Sequence, residues 1–460
     1  MKLIVLFGVL VLAIVANAGV SMNNPFFCYT TDPIRSMTNM HSTSTSYEAI
    51  RRFNFTTVNP YISTCTPSRF WYLGRYGGRY PHAALMQQMI DFDESSIQED
   101  IENNYNAGRT TLCRPDFEAI RDWTRGSDFN LANASLATPA GVEAMENIAG
   151  RFQRVFPDLL TSTYSADRFL FRHTESERTN TSIRAFATGL FGAGAQNVVY
   201  EEVPEVDWFL RPFDFCPEFT REVENWDDQR EAFRQGPEVE EMVEEVNRKL
   251  GFQGRNTLDF DTIYIMWEWC RFETASTFEF SDSETGEDST WCAPFSVAHH
   301  LLLEYYEDLG HFYFSGYGVR NQRLLENLNC GPMQNLLELV QSDDDIDVAR
   351  IFVSYTQEVQ SMLVALGSFR DTWPLHQHNY AQQAARHWLT SLIAPQASNL
   401  AVVRFDCDDE DDDLIFLLNE RPILVPGCDQ QTGVCKVSTF VDRFRRFVDA
   451  NCEEFFCSTD

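Results

Sequence analysis

Positively charged residues are scarce in this chain of 460 residues. Lysine and arginine together number 36, against 68 aspartate and glutamate residues, which gives a formal net charge of −32. Such an acidic protein repels nucleic acid and anionic membranes, so the charge argues against both as partners. A site that binds an anion must therefore be a local cluster of basic residues within a repelling field.

Hydrophobic runs long enough to cross a bilayer are missing after the first apolar stretch. Residues 1–18 predict a secretory signal peptide, with a positive start at Lys2, an apolar run over Leu3–Val15 and a small-x-small cleavage site at the end. The C-terminal residues Cys457–Asp460 are not a Lys-Asp-Glu-Leu retention signal. We therefore expect a secreted, extracellular protein whose mature part spans residues 19–460.

Closely spaced Cys-x-x-Cys pairs are also absent, which argues against a zinc site. The twelve cysteines, an even number, are spread between Cys28 and Cys457. In a secreted protein this pattern favours disulfide bonds over metal ligands. N-glycosylation sequons at Asn54, Asn133 and Asn180 agree with export. The sequence predicts a disulfide-bonded glycoprotein and indicates no metal and no cofactor.

The mature chain is long enough for two closely associated lobes. Hydrophobic residues make up 44% of the sequence and include 37 phenylalanines, which can bury a large interior and exclude wholesale disorder. Helical patterns over approximately 85–160 and 205–290 predict a mainly helical cap lobe. Within it, Ile263–Trp267 is apolar on every side, so we expect it to be buried.

Two polar stretches have competing interpretations. His299 and His300 open a predicted helix, and adjacent histidines point to different helix faces, so a solvated cap is favoured over a shared metal. Strands over residues 401–405 and 414–418 predict a hairpin with the acidic tip Asp406–Asp413. Because the tip lacks the spaced ligands of a calcium loop, we expect a solvated loop there.

The stretch Arg75–Pro81 reads RYGGRYP and follows a predicted strand that includes Phe70–Leu73. A predicted helix opens near His82. Arg75 and Arg79 are four residues apart on a turn loosened by two glycines. Glycine lets a backbone approach a ligand closely, a helix N-terminus favours negative charge, and arginine offers a planar fork of donors. The stretch is therefore suited to cradle an anion.

The positions of Arg75, Gly77, Arg79 and Pro81 resemble the Arg-His-Gly-x-Arg-x-Pro signature of the histidine acid phosphatases. Tyr76 stands where that family has its nucleophilic histidine. Segments further along the chain resemble the multiple inositol polyphosphate phosphatase branch, namely residues 291–318, 366–371 and 426–428. The resemblance implies an α/β fold: a mixed sheet flanked by helices, an inserted mainly helical cap lobe, and a pocket between them.

The same resemblance places a third phosphate-binding arginine at Arg178, in an Arg-x-x-x-Ser turn into a helix. The sequon at Asn180 lies inside this turn and is expected to be unused. The His-Ala-Glu motif of the branch falls on Tyr355 to Gln357, so that both its histidine and its acid are replaced. Glu358 is a candidate substitute acid, although on a strand its side chain would point the opposite way.

These replacements decide the functional hypothesis. In the family the histidine attacks phosphorus, the arginines neutralise the phosphoryl oxygens, and the acid protonates the departing alcohol. Loss of the first and third roles predicts a catalytically inactive protein. Its remaining arginines, Arg75, Arg79 and Arg178, would bind a phosphorylated or other anionic small molecule.

Two other functions remain open. The chain could be an active inositol-polyphosphate or acid phosphatase with an altered mechanism, using Tyr76 or Glu358. Alternatively, it could be an acidic extracellular structural protein in which the arginines pair with interior carboxylates. A new activity of the remodelled pocket is a further alternative. The sequence leaves the ligand and the oligomeric state open.

Overall fold

The computed structural model describes residues 27–31, 40–51, 65–277, 289–346, 348–408 and 411–459. The predicted signal peptide, residues 1–18, and the sequon at Asn54 lie outside these described residues. The described residues form seven strands: β1 Thr66–Arg75, β2 Phe169–His173, β3 Ala349–Ser354, β4 Asn399–Asp406, β5 Asp413–Leu418, β6 Arg421–Pro422 and β7 Val434–Lys436.

These strands make one mixed sheet in the order β2-β3-β1-β4-β5-β6, and β7 also pairs with β5. β1 runs parallel to β3 and antiparallel to β4, while β2 runs parallel to β3. The centre of β1, Phe70–Leu73, is completely buried, as its continuous apolar run requires for a strand covered on both faces. The predicted hairpin is formed by β4 and β5.

Of the described helices, the first precedes β1 and the next ten lie between β1 and β3. They are α1 Tyr47–Arg51, α2 Ala83–Asp93, α3 Ile97–Asn106, α4 Arg114–Asp122, α5 Pro139–Val155, α6 Glu177–Phe191, α7 Pro212–Phe215, α8 Pro217–Glu222, α9 Asp228–Arg234, α10 Pro237–Leu250 and α11 Phe260–Thr277. The second half contains α12 Val297–Ser315, α13 Gln322–Leu328, α14 Cys330–Gln341, α15 Thr356–Leu366, α16 Thr390–Ile393, α17 Val437–Arg443 and α18 Cys452–Phe455. None of these described helices combines the length and the apolar character that a membrane span requires.

One face of the sheet is covered by α5 and α6. Ile148 and Phe152 of α5 and Phe186 of α6 form a single core with Phe70 and Tyr72 of β1. The aromatic rings meet at centroid distances of 4.7 to 6.1 Å. The predicted cap range 85–160 thus includes a helix, α5, that packs directly on the sheet.

The opposite face of the sheet continues into the core of the helical lobe, where Trp71 and Leu73 share a cluster with α11, α12 and α14. Residues 263–267 lie in α11, and Ile263, Met266 and Trp267 are completely buried. The predicted burial is confirmed for these three side chains, whereas Tyr264 and Ile265 are half-buried.

All twelve cysteines form disulfides, which confirms the prediction from their number. The pairs are Cys28–Cys113, Cys65–Cys407, Cys216–Cys457, Cys270–Cys292, Cys330–Cys452 and Cys428–Cys435. Two of them attach the C-terminal segment to the helices around Cys216 and Cys330, and Cys65–Cys407 joins the start of β1 to the tip of the β4–β5 hairpin. Such cross-links stabilise a fold by restricting the unfolded chain.

The prediction of a solvated cap at His299 and His300 is wrong, because both side chains are buried. His299 does cap α12: its Nδ1 accepts from the Ser296 N–H at 3.3 Å, and the Ser296 hydroxyl accepts from the His299 N–H. His300 points inward and accepts a hydrogen bond from the Trp267 indole at 3.2 Å. The sequence could not show this because both helix faces are covered here by neighbouring elements.

The acidic tip of the hairpin is tied to the protein by Arg404. This side chain forms ion pairs with Asp412 at 2.6 Å, Asp343 at 2.8 Å and Asp406 at 3.2 Å. Two carboxylates of the described part of the tip, Asp406 and Asp412, are therefore paired with a buried arginine, which a purely solvated loop would not provide.

Candidate anion site

The arginine motif begins where β1 ends. β1 and β3 are parallel, with Arg75 opposite Ser354, so the chain leaves both strands at the same edge of the sheet. The Tyr76 N–H donates to the Ser354 carbonyl at 3.1 Å, and the Arg75 N–H donates to the Ser398 carbonyl at 2.7 Å. Tyr355 follows Ser354 and therefore emerges beside Tyr76. The two rings meet edge to face, with their centroids 5.7 Å apart.

Gly77 and Gly78 allow this loop to pack against the start of α5. A Cβ on Gly77 would lie 2.3 Å from the Gly141 carbonyl oxygen. One on Gly78 would lie 2.8 Å from the Thr138 hydroxyl and from the Gln396 side-chain oxygen. Neither glycine has a positive φ. Their absent side chains thus make room for the protein's own backbone and side chains, which requires glycine here apart from any ligand.

The first turns of α6 bring Arg178 to the same place. The buried Ser182 hydroxyl accepts a hydrogen bond from the Gly77 N–H at 2.9 Å and donates one to the Arg178 carbonyl at 2.6 Å. It thereby joins the two segments that carry the arginines. Ser182 is also the hydroxyl residue of the Asn180 sequon, and the Asn180 side chain accepts a hydrogen bond from Arg184 at 2.7 Å.

Arg75, Arg79 and Arg178, which we call the arginine cluster, surround the Tyr76 side chain. The Nε of Arg79 donates to the Tyr76 hydroxyl at 3.1 Å. The guanidinium carbons of Arg75 and Arg178 lie 5.1 and 4.7 Å from the centre of its ring. Arg178 also lies 4.9 Å from the centre of the Tyr355 ring. The structure thus brings the three arginines and both tyrosines into one group.

The arginine cluster has no carboxylate counter-ion among the residues that the structure describes, since no described aspartate or glutamate pairs with any of the three guanidiniums. Arg75 is 4% exposed, and its Nη1 donates to the carbonyls of Thr43 and Ala394 at 2.5 and 2.9 Å. Burial lowers the pKa of Arg75, Tyr76 opposes this effect, and the charges of Arg79 and Arg178 add to it. Positive charge is therefore concentrated in this part of an otherwise acidic protein.

The cluster changes the acidity of the tyrosine that it surrounds. Burial of Tyr76 by itself raises the pKa of its phenol, because a phenolate is poorly solvated in the interior. Arg79, Arg75 and Arg178 together more than offset burial, and they lower the pKa of Tyr76 from 10.0 to about 7. Close to neutral pH, this side chain exists both as a phenol and as a phenolate.

The second motif differs locally from its prediction. Glu358 lies on a helix and not on a strand, because β3 ends at Ser354 and α15 begins at Thr356. Neighbouring residues on a helix are separated by about 100° around its axis. Gln357 is accordingly half-exposed, while Glu358 is completely buried.

The carboxyl group of Glu358 is completely buried. Neither of its carboxylate oxygens has a hydrogen-bond partner among the described residues. Burial, reinforced by the nearby charge of Asp207, raises the pKa of Glu358 well above its ordinary value. Burial therefore favours the protonated, neutral form of this carboxyl group. Tyr355, at the end of β3, lies beside Arg178 of the arginine cluster and not beside the Glu358 carboxyl group.

Arg211 contacts Tyr355, and His311 is influenced by the charge of Arg75, although no sequence motif marks either residue. The guanidinium carbon of Arg211 lies 5.5 Å from the centre of the Tyr355 ring, and its Nε donates to Asp214 at 2.6 Å. The pKa of His311 is lowered to about 4, mainly by burial, and the charge of Arg75 acts in the same direction. Only the tertiary structure could identify these residues, because they come from helical segments distant in sequence from both motifs.

Metal ligands are not brought together in this group. Among the described residues, three sets of side chains are close enough to share an ion, and each includes a cysteine pair: Cys270 and Cys292, Cys28 and Cys113, or Cys65 and Cys407. All of these cysteines are disulfide-bonded, so their sulfur atoms are not available as thiolates.

Comparison with known proteins agrees with this architecture. The family model described as "Histidine phosphatase superfamily (branch 2)" matches residues 72–419. This chain belongs to that superfamily. It is 30% identical to multiple inositol polyphosphate phosphatase 1 of Drosophila melanogaster over 443 residues, which cover 94% of this chain and 90% of that protein. The protein of the same name from Gallus gallus is 26% identical over 397 residues, which cover 83% and 81% of the two chains.

Solved structures share the fold. The superposition with the phytase from D. castellii has a TM-score of 0.68 at 15% identity and covers 93% of this chain and 88% of the phytase chain. A second similar structure is the multiple inositol polyphosphate phosphatase of Bifidobacterium longum, solved in complex with inositol hexasulfate. Its superposition has a TM-score of 0.61 at 12% identity and covers 87% of this chain and 96% of that chain. The predicted fold, a mixed sheet flanked by helices in the histidine phosphatase arrangement, is confirmed.

Proposed function

We propose that this protein is a secreted, catalytically inactive member of the superfamily that binds a phosphorylated or other anionic small molecule at the arginine cluster. One observation carries the proposal. Arg75, Arg79 and Arg178 converge on one side chain, and no carboxylate of the described residues neutralises them. The six disulfides and the similarity to multiple inositol polyphosphate phosphatases are consistent with an extracellular or lumenal location.

The electrostatics support anion binding over a purely structural role. A buried charge without a partner destabilises a protein by about 3–5 kcal/mol, so arginines that serve stability are normally paired. In this chain Arg151, Arg271 and Arg386 are paired with buried or half-buried carboxylates. The arginine cluster departs from that pattern. A bound oxyanion would supply the missing charge through charge-assisted hydrogen bonds, which are among the strongest in proteins.

The similar proteins are compatible with this ligand class. The Bifidobacterium longum enzyme has been solved with inositol hexasulfate and with phosphate, which are both anions. We infer the class of ligand for this chain from its own arginines, and we propose phosphate or sulfate groups as the part that they contact.

The proposal of inactivity rests on the groups beside the cluster. Tyr76 stands where the sequence resemblance expects a nucleophilic histidine, and Gln357 stands where it expects an acid. An amide cannot donate a proton to a leaving alcohol, and general acid catalysis alone contributes about 10²- to 10⁴-fold. Glu358 is buried without hydrogen bonds, on a different side of α15 from Gln357. It is therefore poorly placed to substitute.

Two assays on the purified protein test this function. We expect no phosphate release from phytate or from p-nitrophenyl phosphate at acid or neutral pH, and we expect calorimetry to detect binding of inorganic sulfate and of inositol hexakisphosphate. Arg178→Ala should abolish the binding. Arg184→Ala is the matched control, because Arg184 is an exposed arginine on the same helix. Sustained turnover by the wild-type protein would refute inactivity, and binding that survives Arg178→Ala would refute the assigned site.

One observation favours the alternative of an active enzyme. The pKa of Tyr76, lowered to about 7, makes a phenolate available at the position of the nucleophile. On that mechanism, the Tyr76 oxygen would attack phosphorus while the bond from phosphorus to the leaving alkoxide breaks, and the alkoxide would take its proton from water. Water would then hydrolyse the phosphotyrosine, which mass spectrometry would detect at residue 76 during turnover. Tyr76→Phe would then remove the activity. If neither turnover nor anion binding is detected, the alternative of an acidic structural protein is favoured instead.

A further inference from the structure

The Tyr76 hydroxyl is the polar atom that the arginine cluster surrounds. Arg79 donates to it from one side at 3.1 Å, and Arg178 and Arg75 lie over the ring. The side chain is 5% exposed and its ring is packed against Tyr355. Its position leaves the phenol little room to move away from the three guanidiniums.

We propose that Tyr76 is the internal counter-ion of the arginine cluster, and that an anion which binds there displaces the charge of Tyr76, so that binding takes up one proton. This proposal rests on the proposed anion site and adds its regulation by pH. It gives the residue at the nucleophile position a function that needs no chemical reaction.

The groups that face Tyr76 make it suited to be the counter-ion of the arginine cluster. Arg75 and Arg79 face it from its own loop, Arg178 faces it from α6, and Tyr355 faces it from the start of α15. Among the described residues, the charged groups that act on its pKa are these three arginines. A phenolate in this position therefore compensates a cluster that has no other described anion beside it.

The buried position of Tyr76 explains why a proton has to be involved. The backbone around it is held by the hydrogen bonds of Tyr76 to Ser354 and of Gly77 to Ser182. A ligand oxyanion and a phenolate would then share the same arginines at short range. Like charges at such distances favour protonation of the weaker acid, which here is the phenol. The ligand and the proton consequently bind together.

The linkage between proton binding and anion binding determines how the affinity for an anion changes with pH. Below the pKa of Tyr76 the phenol is already protonated, and affinity for an anion is independent of this group. Above the pKa of Tyr76, each increase of one pH unit lowers the affinity for the anion about tenfold, because one proton must be taken up for each anion bound. By reciprocity, a bound anion raises the pKa of Tyr76 by the same coupling. The protein would accordingly bind its ligand in neutral or mildly acidic surroundings and release it in alkaline ones.

The test uses inorganic sulfate, whose charge stays constant over the range studied. Calorimetry measures its affinity between about pH 5.5 and about pH 9, in two buffers of different ionisation enthalpy, which counts the protons taken up. We expect about one proton per sulfate at the alkaline end and none at the acid end. Tyr76→Phe should bind sulfate without proton uptake and with an affinity that stays constant with pH.

Tyr200→Phe is the matched control. Tyr200 also lies beneath an arginine of α6, with the Arg184 guanidinium carbon 4.6 Å from its ring centre, but outside the cluster. We expect this variant to keep the pH dependence of the wild type. Tyrosinate absorbance of the wild-type protein gives a second readout that needs no variant. One phenol should titrate near neutral pH, and saturating sulfate should shift that titration upward.

The outcomes separate this inference from the proposed function. If sulfate binds with the same affinity at every pH and without proton uptake, the counter-ion role is wrong and the anion site stands. If Tyr76→Phe retains the proton uptake, another group is responsible and the inference is overturned. If sulfate fails to bind even at the acid end, where Tyr76 is neutral, the proposed anion site itself is wrong.

Discussion

Gly141 lies so close to Gly78 that a Cβ on Gly141 would be 2.2 Å from the Gly78 nitrogen. This contact seats the loop between the two arginines against the N-terminus of α5. Two glycines from distant parts of the sequence therefore determine where Arg79 and Tyr76 can lie.

Gly141→Ala should destabilise the protein and weaken anion binding, because the added methyl forces two backbones apart. We expect a loss of about 1–3 kcal/mol in the free energy of unfolding, as for other overpacked sites. Chemical denaturation measures it. Gly150→Ala in the same helix is the control, since its Cβ would meet no atom closer than 3.6 Å. That change should be neutral or stabilising by up to about 1 kcal/mol. Equal effects of the two substitutions would contradict the packing argument.

Ser182→Ala should loosen the connection between the two arginine-bearing segments. It leaves the buried Gly77 N–H without its acceptor, which costs about 1–3 kcal/mol. We expect lower stability and weaker sulfate binding, measured by denaturation and calorimetry. Thr181→Ala is the control, because its hydroxyl makes only an exposed bond to Glu177. Unchanged sulfate affinity in Ser182→Ala would show that the hydroxyl does not position Arg178.

Tyr76 should make stability depend on pH. Its pKa is lowered from 10.0 to about 7 on folding, so its contribution is complete above the unfolded value and is lost as pH falls through the folded value. The free energy of unfolding of the wild type relative to Tyr76→Phe should therefore increase between about pH 7 and about pH 10, by up to about 1.4 kcal/mol per pH unit. Denaturant titrations at each pH measure the difference. A difference that stays flat over this interval would contradict an ionised Tyr76.

Glu358 should have the opposite pH dependence. Burial raises its pKa on folding, so the unfolded chain releases a proton that the folded protein keeps, and stability falls as pH rises above the ordinary carboxyl value. Glu358→Gln should be increasingly stable relative to the wild type from about pH 4.5 upward. Exposed Glu240→Gln serves as the control and should show no such trend. A constant difference between Glu358→Gln and the wild type would indicate that Glu358 is ionised or hydrated.

Introducing the residues that the sequence resemblance expects should reveal whether the scaffold supports catalysis by them. Tyr76→His with Tyr355→His should release phosphate from p-nitrophenyl phosphate, whose leaving group departs without an acid. The addition of Gln357→Glu should extend activity to phytate, since an alkoxide leaving group requires protonation, a contribution of about 10²- to 10⁴-fold. A phosphate-release assay compares the variants. If the folded triple variant is inert towards both compounds, other parts of the pocket have also changed.

The fold was largely predictable from the sequence, and the local geometry of the site was not. The apolar strand Phe70–Leu73 and the even number of cysteines led to correct predictions, since these signals depend on composition and periodicity. The end of β3 and the burial of His299 and His300 were predicted incorrectly, and the packing of Gly77 against Gly141 was not predicted. Each of these features depends on what packs against the segment, which periodicity does not contain.

By itself, the sequence established an acidic chain with twelve cysteines and a histidine-phosphatase pattern, and it predicted that Tyr76 and Gln357 occupy two motif positions. Charge, cysteine count and motif order are properties of the chain, so they can be determined before the protein folds. Only the tertiary structure decided that Arg75, Arg79 and Arg178 surround one phenol without a described carboxylate. The pKa of that phenol depends on distance and burial, and these arise when the ends of β1 and β3 meet the first turns of α6.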